Sequence, residues 1–470
     1  MKYERSICWL RRDLRLKDHV ALSEACDLSQ EVAVVFVFDT TILDKLKDHK
    51  DRRVTFIHQC LEELDQKIRK KGSALVVLHG DPINVVPEFA DRIKAQAVFT
   101  NRDYEPAAKK RDETVKTACQ SRDIAFHDFK DQVIFEGEEL STKSGTPFKV
   151  FTPYKKTWLE ALNPSLYHNH KPKFKRLLLE KQLKPYQQDW SLKKLGFESA
   201  DLWLAAGESG AAKRLKKFVP HLKEYDRTRD FPALPNGTSG LSAHLRFGTV
   251  SIRSLVRLAL DTPGSGSRIW LTELIWREFY QMILDRFPHV VKGCFKPEYD
   301  RIQWPGKTTH FKAWCEGQTG FPLIDAAMRL FKQTGWMHNR LRMIVASFLT
   351  KDLLVDWRKG ERWFADNLLD FDLAANNGGW QWSASTGCDA QPYFRIFNPV
   401  TQSKKFDPEG RFIREHLPEL AGFSNKLIHW PHDADPEEQE RANCIFGKDY
   451  PKPIIVHSEQ RPKALSLFKR

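Results

Sequence analysis

Between Gly335 and Trp382 the chain gathers Trp336, Trp357, Trp363, Trp380 and Trp382 around two acids, Asp370 and Asp372, and the run Asn376-Asn377-Gly378-Gly379. An apolar core has no use for paired acids, paired amides and paired glycines among indoles. Together they point to a large, flat, partly polar guest. On a helix, Asn339, Arg342 and Met343 fall at i, i+3 and i+4 and share a face. An amide, a guanidinium and a thioether then meet one guest, and Met packs adaptably against rings. Arg342 is spaced to pair with Asp370 or Asp372, which would orient an acid beside that guest. The glycines at 378 and 379 let backbone come close to a ring. Such a pocket suits an isoalloxazine, whose electronics are tuned by protein groups near N1 and N5. Trp336 and Trp363 carry no assigned chemistry and fit a Trp-rich helical core.

Two more stretches have chemical character. Trp270-Leu-Thr-Glu-Leu-Ile-Trp-Arg-Glu-Phe-Tyr280 puts Trp270, Glu273 and Arg277 on one helical face, and Glu273, Trp276 and Tyr280 on another grouping of the same turns. A carboxylate one turn from two indoles can hydrogen-bond a planar ring stacked on them, and such stacking is worth roughly 1–3 kcal/mol per base. The plainer reading is an amphipathic core helix with a surface ion pair. Before it, Thr238, Ser239 and Ser242 surround Gly240 and Leu241 where a helix is expected to start. Small hydroxyls and free backbone N–H groups there suit a phosphate, though they also suit a plain N-cap. Tyr225, Arg227 and Arg229 just upstream add aromatic and cationic company.

The elements that must position these residues follow from length and periodicity. The chain has 470 residues, too many for one simple core. Its net charge of +14 favours a polyanion such as nucleic acid. The eight cysteines form no C-x-x-C pair or metal spacing and fit a reduced compartment. No run of about 18 apolar residues spans a membrane, and the N-terminus lacks a secretory apolar stretch, so a cytoplasmic protein is expected. Strand-like runs at 6–10, 32–38, 74–78, 97–100 and 124–126 alternate with helical periods at 20–26, 53–70, 83–94 and 107–122, which predicts a doubly wound α/β domain over residues 1–130. Its first turn, Trp9-Leu-Arg-Arg-Asp-Leu-Arg-Leu16, has no glycine where a dinucleotide fold needs G-x-G-x-x-G. Arg11, Arg12, Asp13 and Arg15 read instead as an ionic cluster tying this domain to its neighbour, with a direct DNA contact as the alternative. Residues 131–200 read as a long connection wrapped over the surface, with helix near 154–162. From 201 to 470 helical periods dominate, at 211–222, 251–260, 269–286, 321–334, 338–356, 361–369 and 411–416, and ten of the fourteen Trp lie at or beyond position 270.

Taken together these residues resemble the photolyase/cryptochrome family, and within it the class I cyclobutane pyrimidine dimer photolyases of bacterial type. The resemblance covers essentially the whole chain. It is most specific in Glu273–Tyr280, Gly320–Met328, Gly335–Met343 and Leu373–Trp382, and includes the opening Trp9–Leu16. It implies a Rossmann-like α/β antenna domain with a five-stranded parallel sheet, a linker, and a larger all-helical domain that binds FAD and DNA. It implies that Tyr225 and Thr238, Ser239, Gly240, Leu241 and Ser242 contact FAD, the hydroxyl loop mainly through the phosphates. Trp270, Asn339, Arg342, Asp370 and Asp372 would complete that contact, and Asn376 would lie at flavin N5. Plant cryptochromes carry Asp at that place. Trp276 would stack on the lesion, Glu273 would hydrogen-bond it and Met343 would line its pocket. Trp380, Trp357 and Trp304 would relay electrons from the surface to FAD. Arg229, Glu273, Trp276, Arg277, Asn339, Arg342 and Gln402 would meet DNA.

The implied activity is a light-driven carbon–carbon lyase. The dimer flips out of the DNA, an electron passes to it from photoexcited FADH−, both cyclobutane bonds open and the electron returns. Double- or single-stranded UV-damaged DNA is the expected partner, and the protein is expected to be a monomer with no metal. Folate-binding members carry an Asn-Glu pair where this chain has Ala107 and Ala108. A methenyltetrahydrofolate antenna is therefore not expected, and a deazaflavin, a flavin or no second chromophore remain open. The rival readings are a cryptochrome-type blue-light photoreceptor, against which Asn376 and the Glu273/Trp276/Met343 pocket stand, and a (6-4) photolyase, which needs a His pair where this chain has Trp336–Arg340 followed by Met343.

Overall fold

The computed structural model describes residues 1–469. Its strands are β1 (Tyr3–Leu10), β2 (Ser29–Asp39), β3 (Leu75–Gly80), β4 (Ala97–Asn101) and β5 (Ala125–Phe129), and all pair in parallel in the order β3-β2-β1-β4-β5. The longer helices between them are α1 (Val20–Leu28), α2 (Arg52–Arg69), α3 (Pro82–Arg92) and α4 (Pro106–Gln120). The alternation expected from the sequence is thus observed, with both central strands almost wholly buried, as a sheet covered on two faces requires. Cys8 lies between Val34 of β2 and Phe99 of β4. Ile7, Trp9, Val35, Val76 and Val98 pack with Val86, Phe89 and Val115 of α3 and α4. Aspartates at positions 51 and 81 cap α2 and α3 by accepting backbone N–H groups two residues on.

At the crevice between β1 and β4, where strand order reverses and such folds hold nucleotides, charged side chains pair with one another. The Arg11 guanidinium donates to Asp112 and to the carbonyl of Asn101, and Asn101 in turn donates to Asp13, 2.7 Å away. Arg15 is fully buried against Asp131, at 2.6 Å, and donates to the carbonyl of Gly248. Arg253 reaches Asp18 at 3.0 Å and Asp131 at 2.8 Å. An ionic cluster therefore exists, but α7 (Ile252–Asp261), which it joins to the sheet, belongs to the same compact unit, so these contacts lie within one unit rather than between two.

By its internal contacts the chain forms two compact units. The first comprises Met1–Pro147, Pro153–Lys223 and Ser239–Arg286. The second comprises Phe148–Thr152, Glu224–Thr238 and the chain from Phe287 onward. In the first unit the connecting segment follows the sheet edge. Gln187 and Gln188 donate side-chain N–H groups to the carbonyls of Leu75 and Val77, alternate residues of edge strand β3. The same unit contains α5 (Phe151–Ala161) from Pro153 on, α6 (Gly207–Phe218), α7 and the 22-residue α8 (Ser265–Arg286).

The second unit is helical. Its core is built on α9 (Pro322–Thr334), α10 (Asn339–Ser347), α11 (Trp357–Asn367) and α12 (Leu373–Ala384), with α13 (Pro399–Phe406), α14 (Arg411–His416) and α15 (His457–Phe468) around them. Three of the departures from sequence expectation concern the site. The helix expected over 338–356 stops at Ser347 and continues as a π-turn, Phe348–Asp352. The wider turn shifts the phase of the residues it carries, and within it the buried Lys351 donates to Ser385 Oγ at 2.8 Å. Helix α11 starts at Trp357 rather than Glu361, because Asp356 caps it by accepting from Arg358 N. Helix α12 was not expected as a helix at all. Asn, Asn, Gly and Gly are poor helix formers, the glycines costing about 1 kcal/mol each. Tertiary bonds hold it: Asn377 and Gln381 both donate to the carbonyl of Val290, and Phe295 N donates to Gln381.

Candidate flavin and lesion site

The candidate residues divide between the two units. In the first, α8 carries Trp270, Glu273, Trp276 and Arg277. Trp270 is buried with its ring 5.4 Å from Phe218 of α6, and Trp276 is half-buried with its ring 5.6 Å from both Phe279 and Tyr280. The helix is anchored by its neighbour Glu278, which the sequence reading did not single out. The buried Glu278 carboxylate accepts from Ile134 N and Trp158 Nε1, each at 2.6 Å, and from Phe135 N at 3.0 Å. Arg277 adds a bond to the carbonyl of Gln132 at 2.7 Å. Adjacent residues of α8 thus clamp segment 132–135 with opposite charges. Burial pushes the Glu278 carboxyl up to about 7 against those donors.

The hydroxyl loop also meets its neighbours in this unit. Gly240 adopts φ +60°, and Leu241 is buried. Ser242 begins a short helical turn, and its Oγ is buried with no partner. Ser239 presents its carbonyl to Arg214 of α6.

In the second unit, Tyr225 is buried with the Arg229 guanidinium 5.8 Å from its ring centre, and Thr238 is half-buried. His338 starts α10 by accepting from Arg340 N at 3.1 Å, and burial brings its pKa down to about 4, so the ring is neutral. One turn on, the Asn339 amide points at the Met343 sulfur, 3.9 Å away. Arg342 donates through Nε to the Met337 carbonyl and through Nη2 to Asp370 Oδ2, both at 2.8 Å. The expected pairing of Arg342 is therefore made with Asp370. Asp372 acts locally instead, capping α12 by accepting from Ala375 N.

Asn376 is buried in the first turn of α12. Its Nδ2 donates to the Glu361 carboxylate at 2.8 Å and to the Glu361 carbonyl at 3.1 Å. With both amide protons held by α11, the carbonyl oxygen of Asn376 is the end left to face a guest. Burial raises the Glu361 carboxyl, and the Asn376 bond opposes that shift. Glu361 was invisible to sequence reasoning, since nothing in its spacing ties it to position 376. Residues 376–379 are helical, and space beside the backbone comes from the missing side chains. A Cβ on Gly379 would meet nothing within 4 Å.

Of the three candidate relay indoles, Trp380 and Trp357 are buried and Trp304 is half-buried beside Phe468 of α15, ring centres 6.2 Å apart. Trp380 lies over Gly360 of α11, between Phe364 and Trp314. Arg358 covers Trp357 at 4.9 Å. Gln402 is half-buried on α13.

Residues 270–470 match the family model for the FAD-binding domain of DNA photolyase, and residues 6–175 match that for DNA photolyase. A deoxyribodipyrimidine photo-lyase of Synechococcus is 38% identical across 98% of this chain and 96% of its own. This chain belongs to the DNA photolyase family. Among solved structures, a bacterial class III photolyase from Agrobacterium tumefaciens superposes with a TM-score of 0.90 at 34% identity, covering all of this photolyase-family chain and 98% of its own. A cryptochrome from Synechocystis superposes at 0.85 with 25% identity, over 99% of this chain and all of its own.

The described side chains fit FAD. Within the second unit Asp370 Oδ1 is buried with no partner, and within the first unit the same holds for Ser242 Oγ; each is a polar atom that a polar ligand would satisfy. Among the described residues no cluster of His, Cys, Asp and Glu is placed to hold a metal, and no helix is long and apolar enough to cross a membrane.

Proposed function

We propose that this protein is a deoxyribodipyrimidine photo-lyase that uses light to split cyclobutane pyrimidine dimers in UV-damaged DNA, double- or single-stranded. The observation that carries the reading is whole-length identity of 38% to a relative of that name. Asn376, in place of the Asp of plant cryptochromes, supports repair over signalling. Bound FAD, in its reduced form, supplies the electron that opens the cyclobutane ring. The chain's own residues do the rest. Tyr225, Trp270 and Thr238–Ser242 hold the cofactor, with Asn339, Arg342, Asp370 and Asp372. Asn376 turns its carbonyl oxygen to flavin N5, because Glu361 holds its other end. Trp276 stacks on the flipped dimer, Glu273 hydrogen-bonds it, and Met343 closes the pocket. A flipped base loses its stacking in the duplex, a cost lowest at a damaged step, so extrusion itself selects the lesion. Arg229, Arg277, Arg342 and Gln402 meet the strand, and the charge of +14 supplies salt-dependent affinity for it. Trp304, Trp357 and Trp380 carry electrons inward. The protein acts as a monomer in the cytoplasm. A second chromophore, if bound, is a deazaflavin or a flavin rather than a folate.

A second reading has an observation of its own. This backbone superposes on a class III photolyase with a TM-score of 0.90 and on a cryptochrome with one of 0.85, so its shape favours neither strongly. The deciding experiment is light-dependent loss of dimers from irradiated DNA, with a dark control. Loss in light alone supports repair of this lesion. A flavin-containing protein that leaves dimers intact in light supports the photoreceptor reading.

A further inference from the structure

Arg214 is a charge without a counter-charge. It sits on α6, half-buried, and among the described residues no carboxylate pairs with it. Its Nε and Nη2 both lie 3.2 Å from one acceptor, the carbonyl of Ser239. Its guanidinium also lies 5.9 Å from the ring centre of Trp203. Burial lowers its pKa, and no anion opposes the shift. A half-buried guanidinium whose protein acceptor is a neutral carbonyl is suited to pairing with an anion.

The place it occupies says which anion. The guanidinium is pressed against Gly240: a Cβ there would come within 2.4 Å of Nη2 and 2.9 Å of Cζ. Gly240 has φ +60°, and two residues later Ser242 Oγ is buried without a partner. The neighbouring lysines of α6, Lys213, Lys216 and Lys217, are exposed and solvated, so Arg214 alone turns inward.

We propose that Arg214 is the brace and counter-charge of the FAD diphosphate. It fixes the Ser239 carbonyl, which turns the following N–H groups and the Ser242 hydroxyl away from it and toward the phosphates, and it neutralises their charge from behind the loop. This rests on the reading that Ser239–Ser242 carry the diphosphate. Glycine suits position 240 because φ +60° favours it and a Cβ there would have to displace the guanidinium.

The test uses the full-length chain freed of flavin, with FAD and riboflavin as probes followed by flavin fluorescence. Riboflavin has the ring and the ribityl chain but no phosphate. Arg214→Ala should weaken FAD binding about tenfold or more, the scale of a charge-assisted hydrogen bond, and leave riboflavin binding as in the wild type. Arg214→Lys keeps the charge without the two-pronged hold on Ser239 and should recover part of the loss. FAD affinity of the wild type should fall with salt more steeply than that of Arg214→Ala. Unchanged FAD affinity in Arg214→Ala, or an equal loss for FAD and riboflavin, would overturn the proposal while leaving FAD as the cofactor. A wild type that binds FAD no better than riboflavin would overturn the diphosphate reading of the loop and the proposal with it.

Discussion

Glu361 and Asn376 face each other across α11 and α12, and the Asn376 amide gives both its protons to Glu361, one to the carboxylate at 2.8 Å and one to the backbone carbonyl. This fixes which end of the amide is available to a flavin, something that neither residue could do alone. Glu361→Ala should cost about 1–3 kcal/mol, the scale for an unsatisfied buried partner, and should shift the flavin reduction potential. Glu361→Gln retains an acceptor and should stay near the wild type in both. Chemical denaturation and a potentiometric titration read the two effects, and an unmoved potential in Glu361→Ala would remove Glu361 from the positioning of Asn376.

Gly360 is the contact on which Trp380 rests. A Cβ at 360 would stand 2.2 Å from Trp380 Cη2 and 2.5 Å from Leu349 Cδ2. Gly360→Ala gains helix propensity, but overpacking of this kind costs typically about 1–3 kcal/mol, so the clash should win. The variant should unfold at lower denaturant and photoreduce oxidised FAD more slowly, because Trp380 has to move. Trp380→Phe, which keeps an aromatic ring but not the indole, should slow photoreduction and leave repair by chemically reduced enzyme intact.

Trp276→Ala should weaken binding to dimer-containing DNA by roughly 1–3 kcal/mol, the worth of one stacked base, and leave FAD in place. Binding to damaged and undamaged duplexes, compared at fixed salt, separates lesion recognition from the electrostatic background. Equal losses on both duplexes would contradict stacking on the lesion.

Glu278 makes stability depend on pH in a direction that can be checked. Its carboxyl is raised from 4.5 to about 7 by burial. The folded state then holds a proton that the unfolded chain releases between those values. Its contribution is present in full below pH 4.5 and is lost as pH rises through 7. Glu278→Gln removes this term, so its melting temperature relative to the wild type should rise between about pH 5 and pH 8. A constant difference across that range would mean that Glu278 does not titrate there.

Breaking the Arg342–Asp370 pair exposes the same logic at the proposed cofactor site. Asp370 is buried and already has one oxygen without a partner. Arg342→Ala would strand the carboxylate and should cost about 3–5 kcal/mol, together with lost FAD retention on purification. Asp370→Asn, which carries no charge to strand, should cost less stability.

The sequence by itself determined the α/β alternation, because short continuous apolar runs in β1–β5 and period-3.6 hydrophobicity in α1–α4 differ plainly. It also determined the residue types at the site and the pairing of Arg342 with an acid. Tertiary structure alone decided the rest. Asn376–Gly379 carries local signals against helix, and only bonds to Val290 and the seat of Trp380 on Gly360 make it one. Glu361, Glu278 and Arg214 look like ordinary surface charges in their helices. What singles them out is the partner each meets from a distant part of the chain: Asn376, the segment Ile134–Phe135, and the Ser239–Gly240 turn. Burial and hydrogen bonding depend on packing, and spacing along one helix cannot report what packs against it.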